Sequence, residues 1–173
     1  MKSTGRWIGS AVLIVLMACG GSVRKEQEQR SAHLRIMKAA VMLSGQTAAC
    51  ANHFRALLSA SEYAKVAGED FASASSAVLG SESRRMRQEL ISEKTDVEDL
   101  LACLDPVPEG FQGAVDKLKE LHAVYLKTYD LSVNPPESLE SSMDKIAEWE
   151  KAFDAGAGEL EALLSEIENG EKE

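Results

Sequence analysis

The first half of the chain carries an apolar stripe with the period of an α-helix. With Cys50 as the reference and 100° of rotation per residue, eight small or apolar side chains between residues 32 and 64 fall within about 40° of its direction. These positions are Ala32, Ile36, Ala39, Leu43, Phe54, Leu57, Ser61 and Ala64. Because the phase holds across Gly45, the pattern predicts one long helix over about 26–66 rather than two shorter ones.

A second apolar group lies on the opposite side of this predicted helix. It consists of Leu34, Met37 and Val41. The solvent side of a helix that packs on one core is usually polar. The group therefore predicts a further contact on the back of the helix, either with another part of this chain or with another molecule.

Residues 67–82 are rich in Ala, Ser and Gly and poor in large apolar side chains. This composition predicts a connection, with room for a short helix over 71–79. A second helix then begins near Ser81 or Ser83 and ends at Leu104, because the prolines that follow cannot continue it. Its apolar face consists of Met86, Leu90, Val97, Leu100, Leu101 and Leu104.

Two further helices occupy the rest of the chain. The third is predicted over about 111–131, with Val115, Leu118, Leu121, Tyr125 and Tyr129 on its apolar face. The fourth has a repeat of alternating three and four residues, in which Glu150 is the polar member. Its positions are Leu139, Met143, Ile146, Glu150, Phe153, Ala157, Leu160, Leu164 and Ile167.

The pattern as a whole predicts an all-α fold, an antiparallel four-helix up-down-up-down bundle with a long first helix. The bundle is expected to form a single domain over residues 26–169, followed by a short tail at 170–173. At 1.5 Å per residue the first helix spans about 60 Å and the second and third about 33 Å each. We therefore expect part of helix 1 and part of helix 4 to extend beyond the shorter pair.

The start of the chain has the three parts of a secretory signal. Lys2 and Arg6 precede an apolar run over residues 7–18, which is too short to span a bilayer comfortably. The run ends in Leu16-Met17-Ala18-Cys19, which resembles the lipobox of bacterial lipoproteins. An ordinary cleaved signal peptide and an uncleaved anchor helix are the alternatives.

The lipobox resemblance implies a signal peptide over 1–18 and a lipidated Cys19 as the mature N-terminus. Residues 19–25 are then a short linker. Gly20 stands where an aspartate retains enterobacterial lipoproteins in the inner membrane, so the resemblance favours the periplasmic face of the outer membrane. It implies a location in the bacterial cell envelope, with the lipid as the contact to the membrane.

Acidic side chains outnumber basic ones, 28 to 19. This excess argues against a nucleic-acid partner and against a polybasic contact with anionic lipids. The simpler interpretation is a solvated surface, and the alternative is an acidic docking face for a basic partner. An envelope protein is the partner that we expect.

Cys50 and Cys103 remain once the lipidated cysteine is set aside. An even pair in an oxidising compartment predicts a disulfide bond. The midpoint of the pair falls inside the predicted connection at 67–82, as a bond between two antiparallel helices requires. Cys103 nevertheless lies about 120° from the centre of the apolar face of helix 2.

Two histidines raise the question of a ligand. His53 follows Cys50 by three residues, but a transition metal needs three or four converging ligands and His33 has no visible reason to join them. We therefore expect no metal, with His33 and His53 at the surface or its boundary. His122 falls within the apolar arc of helix 3, which suggests small-ligand or haem binding as an alternative function, with a methionine as second ligand.

The ordinary interpretation of His122 is a core or boundary side chain that bonds a hydroxyl or carbonyl group, and we expect no cofactor. Glu150 is expected to pair with Arg55 or Lys94, to set the register of the helices or to mark a groove, and with His122 it is a possible ligand-binding residue. The common catalytic motifs are missing from the sequence. The sequence thus predicts a non-enzymatic, membrane-anchored lipoprotein that works by protein–protein contact, as a scaffold, an accessory subunit or an inhibitor-like binder.

Overall fold

The computed structural model describes residues 8–107, 109–136 and 139–170, without the side chains of 8–23, 71, 72, 74–78, 140 and 141. These ranges form four α-helices and no strand: α1 (Ile8–Ala67), α2 (Phe71–Ala102), α3 (Gln112–Val133) and α4 (Glu140–Gly170). The prediction of an all-α four-helix bundle is confirmed. In the described part of the chain, none of the helices has both the length and the apolar character needed to cross a bilayer.

The apolar stripe of α1 faces the core. Eight of its members, including Cys50, are at most 6% exposed; they are Ala32, Ile36, Ala39, Leu43, Cys50, Phe54, Leu57 and Ala64. The helix ends one residue after the predicted position, but it also includes the predicted linker at 19–25. Ion pairs one turn apart, Arg24 with Glu28 and Arg30 with Glu26, favour helix in this exposed polar stretch.

The connection between α1 and α2 is shorter than the predicted 67–82 segment. Gly68 leaves the helical conformation with φ of 68°, and Asp70 caps α2 by accepting a hydrogen bond from the Ser73 backbone at 3.0 Å. Residues 71–79 are helical, as the sequence allowed. Gly80, with φ of 54° and ψ of −137°, then interrupts α2. The prediction of a long connection was wrong because Ala and Ser are compatible with a helix once a glycine and an aspartate bound the turn.

The predicted disulfide bond is absent: Cys50 is a free buried thiol and Cys103 a free exposed one. Arg35 donates a hydrogen bond to the Cys103 carbonyl oxygen at 2.9 Å, so the end of α2 lies beside Arg35. Cys50 is 15 residues further along α1, about 22 Å away along the axis. A disulfide joins Cα atoms about 6 Å apart. The prediction failed because the turn centres near residue 69 rather than at the midpoint of the two cysteines.

Contacts between the helices give their relative directions. Arg55 of α1 pairs with Glu150, and His33 lies 3.5 Å from Glu168, so α1 and α4 run in opposite directions. α3 and α4 are also antiparallel, because Lys117 and then Leu121 meet Glu159 and then Gly156. These pairings, with the tight turn before α2, are those that an up-down-up-down order requires.

α1 is the central helix of the bundle. It packs against α2, α3 and α4, whereas no Cα atoms of α2 and α4 come within 8 Å of each other in the described residues. Close approach of α3 and α4 depends on Gly156, where a Cβ atom would lie 2.9 Å from the Leu121 side chain. The core is therefore built around the pair formed by α1 and α3, with α2 and α4 on opposite sides of it.

The other three helices stop at one level of α1. His33 lies beside Glu168 near the end of α4, and it shares a cleft with Phe111 at the start of α3. The end of α2 lies beside Arg35. The first buried residue that is described in α1 is Ala32. α1 alone therefore extends beyond the bundle, and the expectation that part of α4 extends with it was wrong.

Candidate functional site

The side of α1 that faces away from the core carries a group of exposed apolar side chains. Leu34 is 69% exposed, Met37 38% and Val41 68%. We call this side the outer face; it consists of Gln27, Arg30, Leu34, Met37, Lys38, Val41, Gly45, Ala48 and Asn52. The described part of the chain leaves these three apolar side chains uncovered. The prediction of an apolar group on the back of the helix is therefore confirmed, and within the described residues no other part of the chain covers it.

Basic side chains surround the apolar group of the outer face. Arg30 and Lys38 lie on the face and Arg35 at its edge, while residues 29–61 contain no aspartate or glutamate. Arg30 pairs with Glu26 at 2.8 Å, and Lys38 has no ion-pair partner among the described residues. A chain with a formal charge of −9 thus has a positive stretch next to its exposed apolar group.

Arg35 is held in place by backbone oxygens. It donates one hydrogen bond to the Ser31 carbonyl at 3.3 Å and another to the Cys103 carbonyl at 2.9 Å. A cation at the C-terminal end of α2 also interacts favourably with the helix dipole. Arg35 therefore fixes the end of α2 against α1 and keeps one positive charge at the edge of the outer face.

Two clefts border the outer face where α1 leaves the bundle. One, of about 430 Å³, lies between α1, the start of α3 and the end of α4; it is lined by Gln29, Arg30, His33, Leu34, Phe111, Ile167 and Glu168. The other, of about 600 Å³, lies between α1 and the segment after α2; it is lined by Arg24, Gln27, Glu28, Ser31, Arg35, Pro106 and Val107. A shallower depression of about 390 Å³ that includes Leu34 and Lys38 lies on the face itself.

Glu150 pairs with Arg55, as one of the two predicted alternatives stated. Lys94, the other candidate, pairs with Glu98 within α2. Arg55 also donates a hydrogen bond to the Asn52 side chain at 3.2 Å. The Arg55–Glu150 ion pair thus links α4 to the Asn52 end of the outer face. Glu150 lines a cleft of about 320 Å³ between α1 and α4, together with Ser44, Thr47, Ala48, Phe153 and Asp154. Glu150 is thus both an ion-pair partner and part of a groove.

A buried polar cluster joins α1 to α3 at the level of Cys50. The Ser132 hydroxyl group lies 2.7 Å from the Cys50 carbonyl oxygen and 2.8 Å from that of Thr128. Burial raises the pKa of the Cys50 thiol to about 12, which the hydrogen bond with Ser132 only partly offsets. The thiol is therefore protonated at neutral pH, and a protonated thiol is a poor nucleophile.

His53 belongs to the same cluster and is only 1% exposed, so its predicted surface or boundary position was wrong. Burial lowers the pKa of its imidazole, the nearby Ser132 backbone opposes the shift, and Arg87 adds to it. Neither ring nitrogen makes a hydrogen bond of acceptable geometry in the described part of the chain. Cys50 and His53 thus form a neutral thiol and a neutral imidazole, not an activated ion pair.

His122 is half-buried and stacks on Tyr125 with 5.9 Å between the ring centres. Burial lowers the pKa of His122, which Glu98 partly opposes. Its Nε2 atom has no hydrogen-bond partner among the described residues, so the predicted hydroxyl or carbonyl partner is not found for this nitrogen. The clefts described above are lined by other residues, which places His122 apart from the outer face.

The described residues contain no group of three or more His, Cys, Asp and Glu side chains that could hold a metal ion. Lys2 and Arg6 of the predicted signal peptide lie outside the described residues, and the Cys19 side chain is not described either. Lipidation of Cys19 therefore stays a prediction. Comparison of the chain with protein-family models, with curated proteins and with solved structures finds no match.

The basic residues of the outer face were not among the predicted site residues. The net charge of the chain does not indicate them, because the many acidic residues of α4 outweigh the basic residues of α1. The signal that identifies them is local: Arg30, Arg35 and Lys38 lie in the stretch 29–61, which contains no acidic residue. Charge counted by helix, rather than over the chain, indicates this region.

Proposed function

We propose that the chain is a bacterial envelope lipoprotein that binds another protein along the outer face of α1 and catalyses no reaction. The observation that carries this proposal is the uncovered group formed by Leu34, Met37 and Val41. Their spacing of three and four residues is the one that a neighbouring helix contacts. Full burial of such a side chain is worth about 1.5–3 kcal/mol, which is a strong incentive for a partner to cover them.

A location near the membrane follows if Cys19 carries the lipid. Leu34 comes 15 residues after Cys19, about 22 Å along a continuous helix. Several acyl chains hold a protein durably, because each buried CH₂ contributes about 0.8 kcal/mol. The partner that best fits this geometry is an envelope protein at the periplasmic face of the membrane. The role is that of a scaffold, an accessory subunit or an inhibitor-like binder.

The absence of catalysis is supported by the state of the buried polar groups. Cys50 and His53, a thiol and an imidazole three residues apart on α1, are the pair that most resembles a nucleophile and its base. Both are neutral and enclosed. A nucleophilic cysteine needs a lowered pKa and access to substrate. The cluster therefore fits a structural role between α1 and α3.

Photo-crosslinking in intact cells tests the binding face. The amino acid p-benzoylphenylalanine is placed at Met37 or Val41 of the full chain, and at Val66 and Ile91 as matched controls. All four positions are exposed and apolar, with Val66 90% and Ile91 45% exposed, but Val66 lies 14 residues beyond Asn52, the last position of the outer face, and Ile91 lies on α2. We expect a discrete protein adduct from Met37 and Val41 alone. Equal yields from the face and the controls would contradict the proposal.

A further inference from the structure

We infer that the partner presents an acidic amphipathic helix, which lies lengthwise against the outer face of α1 and places carboxylates opposite Arg30 and Lys38. This inference rests on the proposed function and names the chemistry of the partner surface. It is carried by the distribution of charge, apolar surface and small residues along one side of one helix.

The charge of the outer face is the first step. Arg30 and Lys38 flank Leu34 on either side along the helix, and Arg35 adds a third cation at the edge. No carboxylate of α1 lies on the face beyond Glu28, and the acidic residues in the cleft that borders it at Ser44 and Ala48 are Glu150 and Asp154 of α4. Complementary charge steers association and suppresses wrong partners. A partner surface rich in Asp and Glu therefore fits the part of the face from Arg30 to Lys38.

The small residues of the outer face are the second step. Gly45 lies in the interior of α1, where glycine costs about 1 kcal/mol relative to alanine. Nothing in the described chain lies within 4 Å of a Cβ atom built on it, so packing within the chain gives no reason for a glycine there. Gly45 and the exposed Ala48, which follow Val41 along α1, allow the backbone of a second helix to approach closely.

A second copy of this chain fits the face poorly. Two outer faces brought together in a symmetric dimer would place like charges against each other, since both carry Arg30 and Lys38. The other large apolar side chains that are exposed among the described residues are Tyr63, Val66 and Ile91, none of which lies on the acidic α4. Among the described residues, the acidic α4 therefore carries none of the large exposed apolar side chains that a second copy would need to place on the outer face.

A lipid surface fits less well than a helix. A helix that lies in a membrane interface carries large apolar side chains along its buried side. On this side of α1 no large apolar side chain lies between Val41 and Tyr63, and the outer-face positions after Val41 are Gly45, Ala48 and Asn52. Small residues leave little to insert among lipids, but they match the close packing of two helices.

The test extends the photo-crosslinking of the full chain with the probe at Val41. Mass spectrometry of the adduct identifies the partner peptide that meets position 41. In parallel, Arg30→Glu with Lys38→Glu is compared with Lys127→Glu with Lys145→Glu. The control pair makes the same change in net charge at exposed lysines of α3 and α4. We expect the first pair to lower the yield about tenfold, and the control pair to leave it unchanged.

A steric variant tests close approach independently. Gly45→Leu should also lower the yield while the protein stays folded, because the space around Gly45 is open within the chain. Gly158→Leu is the control, since Gly158 is equally open but lies on α4. Thermal unfolding of both variants verifies that the fold is kept.

The outcomes separate the two proposals. An acidic helical peptide at position 41, lost on charge reversal and in Gly45→Leu, supports the inference. A neutral or basic partner peptide, or insensitivity to both changes, overturns the inference and leaves the proposed function standing. An adduct with lipid or with a second copy of the chain overturns it as well. No adduct above the level of the Val66 and Ile91 controls contradicts the proposed function itself.

Discussion

Cys50 and Cys103 are the same side chain in two opposite environments. Cys50 is fully buried and its pKa is raised to about 12, whereas Cys103 is exposed at the end of α2. An alkylating reagent needs both access and a thiolate. Native protein treated with N-ethylmaleimide should therefore be modified at Cys103 and not at Cys50, as read by peptide mass spectrometry. Denatured protein should be modified at both, and rapid native labelling of Cys50 would contradict the buried position.

His53 makes the folded state sensitive to acid. Its folded pKa is lowered from 6.5, so the unfolded chain binds a proton more readily than the folded one. Stability is therefore full above the unfolded pKa and falls as the pH drops below about 6.5, by at most about 1.4 kcal/mol per pH unit for this group. Urea unfolding at pH 8 and pH 5 measures the loss. His53→Leu should reduce the dependence and leave the part that His122 contributes, and an unchanged slope in this variant would sink the explanation.

Single positions also show where sequence reasoning reaches its limit. The side-chain period placed Leu43 and Ile146 in the core and gave Arg55 as one of two candidate partners of Glu150, because facing positions follow from helical geometry. The period could not place His53, since an imidazole suits a boundary as well as a core. Its burial depends on the side of α1 that α3 covers, which is a property of packing and not of one helix.

Among the helices, the ends marked by proline or by a strong repeat were predicted within a few residues. α3 ends two residues after its expected position, before Pro135, and α1 ends one residue after its own. The start of α2 was misplaced by about ten residues, because in the 67–82 segment the serines and the two glycines offset the helix preference of alanine. The residues that end α1 and start α2 are Gly68 and Asp70, only two positions apart. They fix where α2 begins and therefore which of its residues lie beside which residues of α1.

The contact between α3 and α4 gives a prediction for the two glycines of α4. Gly158→Ala should stabilise the protein by about 1 kcal/mol, because alanine favours helix and nothing lies nearby. Gly156→Ala should gain nothing or lose about 1–2 kcal/mol, since its Cβ atom would lie 2.9 Å from Leu121. Urea unfolding of both variants gives the comparison. Equal stabilisation would mean that the two helices are not in close contact at Gly156.

At the scale of the whole molecule, the charge asymmetry of the chain accompanies its architecture. The acidic α4 and the acid-free stretch of α1 are neighbours in the bundle, and Arg55 and Glu150 join them. The sequence predicted the fold class and the uncovered group on α1 because both can be read from the helical period within single segments of the chain. It did not predict the clefts beside that group, since these form where three helices end at one level of α1.

The prediction of a lipid at Cys19 is tested in cells that express the full chain. Cells fed an alkyne analogue of palmitate should label the wild-type protein, and the protein should sediment with membranes. Cys19→Ser should lose both properties, since several buried acyl chains provide the attachment. Cys103→Ser is the matched control and should keep both. Label that survives in Cys19→Ser would refute lipidation at this cysteine.

The central position of α1 has a mechanical consequence. A pull on the amino-terminal end of this helix runs along its axis, and the other three helices all pack along its length. The load therefore acts on these interfaces in shear, where many side-chain contacts must yield together, rather than peeling one helix from the next. A tether at this end and a partner bound to the outer face would both pull on α1. Tension between them would then be carried by this one helix and not by its contacts with the other three.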